Sequence, residues 1–531
     1  MSKTISLAEI GAIIDPVLDS EKGSASDARV SDFRDGVSWS PEEEKKLVSK
    51  IDSIVLTILT LCFFAFQLDR SNIGNALTDQ FLKDVGVTQN EFNIGQQLLN
   101  AGIVLLEIPS NMILYRLGPK TWIGCQIIAW GLVATFQAFQ RGLGAFLATR
   151  LVLGLLESGF IPASLYTLGL WYKNSELSRR FGFFYLGNGI AQACGGLLAY
   201  GFLRMRGIGN LTGWQWLFLL EGIFTLMAGA IFIALFPGNP QDPVSLLKVN
   251  WFTERETFVM QQRMQLQRAN ETPHSRIRGN DILCTLAQPK LWPHLLITMS
   301  GLAPTTALWS YAPTIIGDLG YNRLAANAMT SVGQWISVLL IMMAAYVADW
   351  TDRRGFIVLF GITCQWAFMV AFTCLPDSSA SSLKYGILTM GTATCSWWRK
   401  HRQRFLAIHQ REILRGAVYP HGASSRHRFW NAALLTFEAS QALYGMSANT
   451  AGIIGGQLFR SDDLPYYHRG WTVIVCLMSL TLSLAIFLLV LYFFSNRKIK
   501  KENKNLLEQP SSDTTIKNNS AGPVQRVPYN F

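Results

Sequence analysis

The sequence predicts an all-α polytopic membrane protein whose twelve transmembrane helices form two bundles of six. Three observations lead to this fold class. Half of the 531 residues are hydrophobic and only 15% are charged, whereas soluble domains carry about 25% charged residues. Apolar stretches of about 20 residues, long enough to cross a bilayer, recur between residues 54 and 494. A polar stretch, 238–290, divides them six and six.

The predicted spans follow these apolar stretches, and breaker residues set several of their ends. The sixth span stops at "FPGNPQDP", whose prolines and glycine end a helix. In chain order, the approximate spans are 52–77, 92–115, 120–140, 145–171, 181–203, 215–236, 291–316, 327–348, 355–375, 384–398, 431–459 and 470–495.

The spans divide the chain into two bundles, two tails and a connector. Residues 1–51 are polar and contain no signal-peptide core, so the first span is expected to direct insertion. Residues 52–237 form the first bundle, and 238–290 form a solvated cytoplasmic loop with a charged helix. Residues 291–495 form the second bundle, and 496–531 form a polar cytoplasmic tail.

Basic residues in the short loops predict the orientation, because they concentrate on the cytoplasmic side of membrane proteins. The loops after even-numbered spans hold more of them than the opposite loops. Both termini are therefore expected in the cytosol, with the chain in the plasma membrane. The residues that support this orientation are Arg116, Lys120, Lys173, Arg179, Arg180, Arg353 and Arg354.

The two halves repeat a similar loop at equivalent places. "LYRLGPKTWIG" (114–124) follows the second span, and "YVADWTDRRGFIV" (346–358) follows the eighth. Matching halves are typical of secondary transporters with internal repeats, which work by alternating access. Within the second loop, Asp349 and Arg353 form either a latch for a cytoplasmic gate or a plain solvated turn.

The stretch "AFQLDRSNIGNALTD" (65–79) follows almost purely apolar residues from Ile54 to Leu68. Those residues make a helix of about 22 Å, which is shorter than the roughly 30 Å hydrocarbon core, so the helix is expected to continue beyond them. Asp69 and Arg70 would then lie inside the membrane, where each charge costs roughly 2.5–3.5 kcal/mol unless it faces protein or water. The alternative is a helix that ends at Leu68 and leaves the pair in interfacial water.

A second charged pair lies in "FLATRLVLGLLESGFIPASLYTLGLWY" (146–172), which is predicted to be one continuous span. Arg150 and Glu157 are two helical turns apart and therefore share one face. Gly154 and Gly159 are expected to let neighbouring backbones approach. Together with the pair on the first span, these charges predict a buried four-charge cluster. The alternative is a purely structural ion-pair network.

This cluster suits the coupled binding of an anion and a proton. A buried carboxyl group can take up a proton, and an arginine offers a bidentate fork for carboxylate or sulfonate oxygens. When Asp69 or Glu157 is protonated, its neighbouring arginine, Arg70 or Arg150, becomes free for an anion. When the carboxylate ionises, it competes for that arginine, so proton flow and anion flow are linked.

Two weaker predictions extend the site. Asn72 continues the polar face of the first helix three residues after Asp69, and it either contacts the cargo or serves helix packing. Tyr311, in "TTALWSYAPTII", either lines the cavity from the seventh span or packs between helices.

The chain contains the stretches "LDRSNIGNA", "RLVLGLLESGFIPASLYTLGLWY", "GWQWLFLLEGI" and "MSANTAGIIGGQLFRSDDLPYYHRGW". They resemble the fungal allantoate permease family, anion:cation symporters of the major facilitator superfamily, over roughly residues 50–398 and 445–495. The resemblance implies import of a small anion such as allantoate, nicotinate, pantothenate, sulfate or a sulfonate. More distantly, the Asp-Arg pair and the Arg-x6-Glu spacing are similar to proton-coupled organic anion carriers of the sialin and galactonate type.

These likenesses imply roles for individual residues. Asp69 and Glu157 would carry protons, Arg70 would bind the substrate, and Arg150 would be the electrostatic partner of the acids. The polar substrate contacts implied by the distant relatives are Gln192 and Asn449.

Residues 399–430 break this pattern. They are strongly basic, hold four of the seven histidines and interrupt the tenth span after fourteen apolar-rich residues. An altered reading frame or a retained intron in the gene model would explain such a segment. A nutrient receptor or a non-transporting remnant is therefore a rival to the anion symporter, and a proton-driven drug efflux carrier is another.

Several function classes are excluded. No Gly-rich phosphate loop, metal triad or nucleophile–base set is present, so we expect no enzyme, no cofactor and no metal site. The net charge of +11 does not indicate nucleic-acid binding, because residues 399–428 and the loops account for it. The expected partners are the lipid bilayer, protons and a small anion, with the chain acting as a monomer.

Overall fold

The structure is a computed structural model whose regular elements are helices, apart from two isolated β-bridges between residues 239 and 250. It describes residues 39–269, 287, 291–351, 354–395, 443–464 and 466–508. Asp349 lies within a described helix, but its side chain lies outside the described part. Arg353 and the whole basic segment 399–430 also lie outside the described residues.

The first half of the chain contains six consecutive helical spans. They are α1 (Pro41–Asp79), α2 (Gln89–Leu117), α3 (Pro119–Phe139), α4 (Gly142–Trp171), α5 (Asn174–Phe202) and α6 (Gly213–Leu235). A separate helix, Glu254–Ala269, follows them and is called the connector helix below.

The second half has six further helical segments in its described residues. They are α7 (Leu291–Asp318), α8 (Arg323–Thr351), α9 (Arg354–Cys374), α10 (Ser381–Thr394), α11 (443–455) and α12 (His468–Glu508). In the described part, eight helices are long and apolar enough to cross a membrane: α1, α2, α3, α4, α6, α8, α9 and α12. The predicted all-helical fold, with six helices before and six after a polar connector, is confirmed.

Local capping fixes where several helices begin. Ser40 accepts a hydrogen bond from the backbone N–H of Glu43 at 3.0 Å and starts α1. Thr88 and Glu91 form a reciprocal capping box at the start of α2, as S/T-x-x-E sequences do. The helix of α1 therefore begins eleven residues before the predicted span at residue 52 and passes into it through a π-helical turn.

The two halves pack their helices in the same way. In the first half α6 packs against α1 and α3, and α2 packs against α4. In the second half α12 packs against α7 and α9, and α8 packs against α10. The halves meet along α5–α8 and α1–α7, and hydrogen bonds also join α2 to α11. This repeated pattern agrees with the internal repeat inferred from the loops.

The helix bundle has two ends, which are named here by the elements that they hold. One end, the terminus side, holds the start of α1, the connector helix and the part of α12 where Tyr492 bonds to His294. The opposite end, the far side, holds the turns after α1, α3, α5, α7 and α9.

Polar contacts close the far side. Asn93 of α2 donates a hydrogen bond to the carbonyl of Phe459 at 2.8 Å and accepts one from the hydroxyl of Tyr311. Asn327 of α8 donates to the hydroxyl of Thr78 at 2.7 Å. These bonds all join one half to the other, so the halves are bound together at this end.

The connector helix is held against the first half by ion pairs. Lys50 of α1 lies 2.8 Å from Glu256, and Arg263, whose side chain is fully buried, lies 3.0 Å from Glu176 of α5. Burial acts to raise the pKa of Glu256, but hydrogen bonds, foremost from Lys50, leave that pKa below its ordinary value. The charged helix predicted within this connector is present, and its apolar face is packed against protein. The buried apolar residues of the helix are Val259, Met260 and Met264, and Phe252 is buried just before it.

Candidate functional site

The middle of α1 carries both predicted charges inside the bundle. Its α-helical part runs from Thr57 to Ala76, so the alternative of a helix that ends at Leu68 is wrong. Asp69 is almost completely buried, and Arg70 is partly buried. The apolar run alone is too short to span the membrane. The helix continues beyond it, so the charged pair lies inside the bundle, as the sequence predicts.

Asp69 and Arg70 face different neighbours. Successive helical residues point about 100° apart. Asp69 accepts a hydrogen bond from the hydroxyl of Thr225 of α6 at 2.8 Å, whereas Nε of Arg70 lies 3.2 Å from Oε2 of Glu157 of α4. Within the described residues Asp69 forms no ion pair with an arginine. The structure therefore does not support the hypothesis that Asp69 competes with an anion for Arg70.

A break in α4 positions Glu157. The predicted continuous span is two helices, Gly142–Glu157 and Phe160–Trp171, separated by an extended Ser158 and a left-handed Gly159 with φ 78°. The carbonyl of Ser158 accepts hydrogen bonds from the Ser110 hydroxyl at 2.8 Å and the Gln126 amide at 2.6 Å. Glu157 is therefore the last residue of a helix rather than a mid-helix residue.

Two residue types in the sequence, a glycine and a proline, are consistent with this break. Glycine adopts positive φ without strain, and Pro162 lies in the first turn of the second helix, where a proline is tolerated. A Cβ atom at Gly159 would lie 2.4 Å from the Ser110 hydroxyl oxygen. The backbone bend and the close approach of α2 both require this glycine.

Glu157 lies between two guanidinium groups. It is paired with Arg70 and also interacts electrostatically with Arg150. Arg150 is 1% exposed, and its guanidinium lies 5.7 Å from the ring centre of Phe146. Its Nε and Nη2 donate no hydrogen bond to any residue in the described part. The buried Arg150 and the partly buried Arg70 therefore have the carboxylate of Glu157 between them.

Two buried acids that the sequence predictions missed complete the cluster. Glu107 of α2 faces Arg70 and accepts a hydrogen bond from the Asn449 amide at 3.4 Å. Glu221 of α6 lies beside Asp69 and the Asn72 amide. The signal was the same as for Asp69, an acidic residue within an apolar span, in "VLLEIPS" and "LFLLEGI".

The remaining predicted site residues fall into two groups. Asn72 and Asn449 belong to the cluster, because Asn72 lies beside Glu221 and Asn449 donates a hydrogen bond to Glu107. Gln192 donates a hydrogen bond to Asn188 of its own helix at 2.7 Å, and Tyr311 is part of the far-side contact with Asn93 described above. The roles of all four stay predictions.

The cluster contains oxygen and guanidinium groups, and the described residues include no group of three or more His, Cys, Asp or Glu that could hold a metal ion. Buried guanidinium groups bind anions, and buried carboxyl groups exchange protons. The arrangement is thus chemically suited to an anion and to protons.

Comparisons with known proteins are consistent with this architecture. The sequence profile of the Major Facilitator Superfamily matches residues 59–399. An uncharacterised transporter of Saccharomyces cerevisiae is 29% identical over 511 residues, which cover 94% of this chain and 90% of the relative. A protein of Agrobacterium vitis, provisionally named a tartrate transporter, is 27% identical over 322 residues, or 61% of this chain and 69% of that protein.

A solved structure shares the fold. The xylose transporter of E. coli, in a partially occluded inward-open conformation, superposes with a TM-score of 0.58 at 12% identity. The match covers 81% of this chain and 97% of that chain. At this identity the likeness concerns the fold alone.

Proposed function

The chain belongs to the Major Facilitator Superfamily of membrane transporters, and from that premise we propose that it imports a small organic or sulfur-containing anion together with protons. The cargo class is that of allantoate, nicotinate, pantothenate, sulfate and sulfonates. The two halves would alternate access around the buried charge cluster. We place the chain in the plasma membrane with both termini in the cytosol, in accord with the basic loops.

The observation that carries this proposal is a pair of arginines, Arg150 buried and Arg70 partly buried, on either side of a buried glutamate. Arg70 and Arg150 flank Glu157, and two nitrogens of Arg150 have no hydrogen-bond partner in the described part of the chain. An unpaired donor on a buried cation is costly, and an anionic ligand would relieve that cost. A guanidinium also presents a planar fork that suits carboxylate and sulfonate groups.

Proton coupling rests on the balance of buried charges. Glu107 and Glu157 interact with the arginines, Asp69 interacts with Glu157 and Glu221, and all four acids are nearly or completely buried. If every one were ionised, the cluster would hold two uncompensated negative charges, which a low-dielectric interior disfavours. Protons on two of the acids would remove this imbalance.

We assign the proton-carrying role to Asp69 and Glu157, with Glu221 beside Asp69. When Glu157 is protonated, Arg70 and Arg150 would be released for an incoming anion. When Glu157 ionises with the site open to the terminus side, it would pair with the arginines again and release the cargo. The flow of protons and the flow of anions are thereby linked.

The other predicted residues have supporting roles in this proposal. Asn72, Gln192, Asn449 and Tyr311 would provide polar contacts to the cargo. For the terminus side we propose a latch that closes that end during the cycle. Its residues would be Asp349 and Arg353.

Radiolabelled uptake by yeast cells expressing the chain tests the proposal. The panel contains allantoate, nicotinate, pantothenate, sulfate, taurine and tartrate, at an external pH of about 5 and about 7.5. We expect at least one anion to accumulate faster at the lower pH. Arg150→Gln should reduce that uptake more than about 100-fold, because it removes two hydrogen bonds to the anion, each worth about 1.5–3 kcal/mol for a charged group.

Arg141→Gln is the matched control, because Arg141 is an exposed arginine in the turn before α4. Its uptake should equal that of the unmodified chain. Export of a hydrophobic cation without uptake of any anion would instead identify a drug efflux carrier, and the proposal would be wrong.

A further inference from the structure

Glu107 is the one acid of the cluster that touches both halves of the molecule within the described residues. It lies on α2 and is only 6% exposed. Its Oε2 accepts a hydrogen bond from the Asn449 amide of α11. A Cβ atom built on Gly445, one turn earlier in α11, would lie 2.8 Å from Oε1. The carboxyl group is therefore pressed directly against the second half.

On the side of the first half, Glu107 interacts electrostatically with Arg70, at longer range than the ion pair between Arg70 and Glu157. Arg70 is also the partner of Glu157, at 3.2 Å. One guanidinium thus serves two carboxyl groups, one from α4 and one from α2. Because the guanidinium carries a single positive charge, it cannot fully compensate both when both are ionised.

The partners of Glu107 are the groups to which the proposed function assigns the cargo. Arg70 would bind the anion from the first half, and Asn449 would contact it from the second. Glu107 already presents a carboxylate between this arginine and this amide. The carboxylate is bonded to the amide and lies within electrostatic range of the arginine, which is the place that a small carboxylate would take between the halves.

We propose that Glu107 is a built-in competitor for the cargo: its carboxylate takes the place of the anion between Arg70 and Asn449, and cargo must displace it to bind. This inference rests on the proposed function. Glu107 is then a specificity-determining residue, because it favours anions that bind the arginine more strongly than a single carboxylate does.

The helix around Glu107 is suited to such a displacement. Pro109 lies within α2, two residues after Glu107. A proline has no N–H group, so the carbonyl of Leu105 loses its usual helical donor and the turn around Glu107 is held by fewer hydrogen bonds. A small local movement of α2 can therefore separate the carboxylate from α11.

Equilibrium binding to the purified chain tests this inference. Radiolabelled tartrate, allantoate, nicotinate and sulfate are measured at about pH 7.5 with the unmodified chain and with Glu107→Gln, which keeps the side-chain shape but removes the charge. We expect the dissociation constant of any anion that binds to fall about tenfold in Glu107→Gln, because the competing charge is absent.

Two further variants keep the result decisive. Glu107→Asp retains the charge but shortens the side chain by one methylene and withdraws it from Asn449, so a smaller gain in affinity is expected. Asp79→Asn removes a buried acid outside the cluster, at the far-side end of α1, where it pairs with Arg206, and it should change the dissociation constant less than about threefold because it is distant from Arg70. A size-exclusion profile of each variant confirms that it is folded.

The outcomes separate this inference from the proposed function. Binding of an anion to the unmodified chain, with equal or weaker binding to Glu107→Gln, overturns the competitor role alone. An equal gain in affinity in Asp79→Asn also overturns it, because a general change in the electrostatic field would then explain the effect. Binding to neither protein, together with no uptake in cells, overturns the proposed function and the inference with it.

Discussion

At the residue scale, the site is defined by the pairing of its acids with its arginines. Arg70 and Asp69 are adjacent in the chain, yet Arg70 pairs with Glu157 and Asp69 bonds to Thr225. The roughly 100° between successive helical side chains sends one toward α4 and the other toward α6. Glu157 therefore has a cation as its neighbour, whereas Asp69 lies beside another acid, Glu221.

Glu157→Gln tests the coupling role of the acid between the arginines. We expect the variant to lose proton-driven accumulation, with the ratio of internal to external anion falling to about one, because no proton can be exchanged at this position. Exchange of labelled for unlabelled anion across the membrane should persist, since it requires no net proton movement. Both are measured in proteoliposomes with and without a pH gradient.

Glu254→Gln provides the control for this substitution. Glu254 is an exposed acid at the start of the connector helix, so its loss should leave accumulation and exchange unchanged. If Glu157→Gln concentrates the anion as well as the unmodified chain, Glu157 is not the coupling residue.

At the element scale, the broken α4 is the feature that shapes the site. The α2 and α4 backbones approach so closely that a Cβ at Gly154 would lie 2.1 Å from the carbonyl oxygen of Leu99. Ser158 then links the break to α2 and α3 through hydrogen bonds with Ser110 and Gln126. Small residues and a hydroxyl group thus bring the α2 and α4 acids to the same arginine.

Gly159→Ala should damage this element. The left-handed backbone costs a non-glycine residue roughly 1–2 kcal/mol, and the added methyl group would collide with the Ser110 hydroxyl at 2.4 Å. We expect a lower thermal unfolding temperature for the purified protein and slower uptake. Both effects should appear together, because the same bend positions Glu157.

Gly169→Ala is the matched control on the same span. Gly169 lies in the second helix of α4, and no atom lies within 4 Å of a Cβ built there. Replacement of a helical glycine by alanine at such a place is expected to be neutral or to stabilise by about 0.5–1 kcal/mol. Equal unfolding temperatures for the two variants would contradict the assigned role of Gly159.

At the scale of the whole molecule, the contacts between the halves favour one conformation. The far side is closed by Asn93 with Phe459 and Tyr311, and by Asn327 with Thr78. A transporter that alternates access must break such contacts in its other state. The strength of the far-side bonds therefore sets the population of the conformation that is open on that side.

Asn93→Ala should shift that population. It removes two bonds between the halves and leaves the buried Tyr311 hydroxyl without this partner, a loss of about 1–3 kcal/mol. That corresponds to a roughly 5- to 150-fold increase in the far-side-open fraction. Electron-paramagnetic-resonance distances between spin labels at Lys83→Cys and Ser378→Cys, with the native cysteines replaced, measure this fraction.

Gln140→Ala controls for general destabilisation. Gln140 is equally buried but bonds to Thr149 within the first half, so its loss should not lengthen the distance between the labels. An unchanged distance distribution in Asn93→Ala would show that these bonds do not hold the far side closed.

The fold class and the burial of the charges follow from local features of the sequence. Apolar runs and their lengths depend only on local composition, so they predicted six helices on each side of the connector and a first helix that continues past Leu68. The same local rule marks every acid in an apolar span, including Glu107 and Glu221, although it does not say what each acid faces.

Which charged groups become partners depends on how the helices pack together. The pairing of Arg70 with Glu157 rather than Asp69, the end of the first α4 helix at Glu157 and the contact of Glu107 with Asn449 join residues far apart in the chain. Such contacts depend on how closely α2, α4 and α11 approach one another. That approach is set by glycines and hydroxyl groups on several helices at once, and no single stretch of sequence contains it.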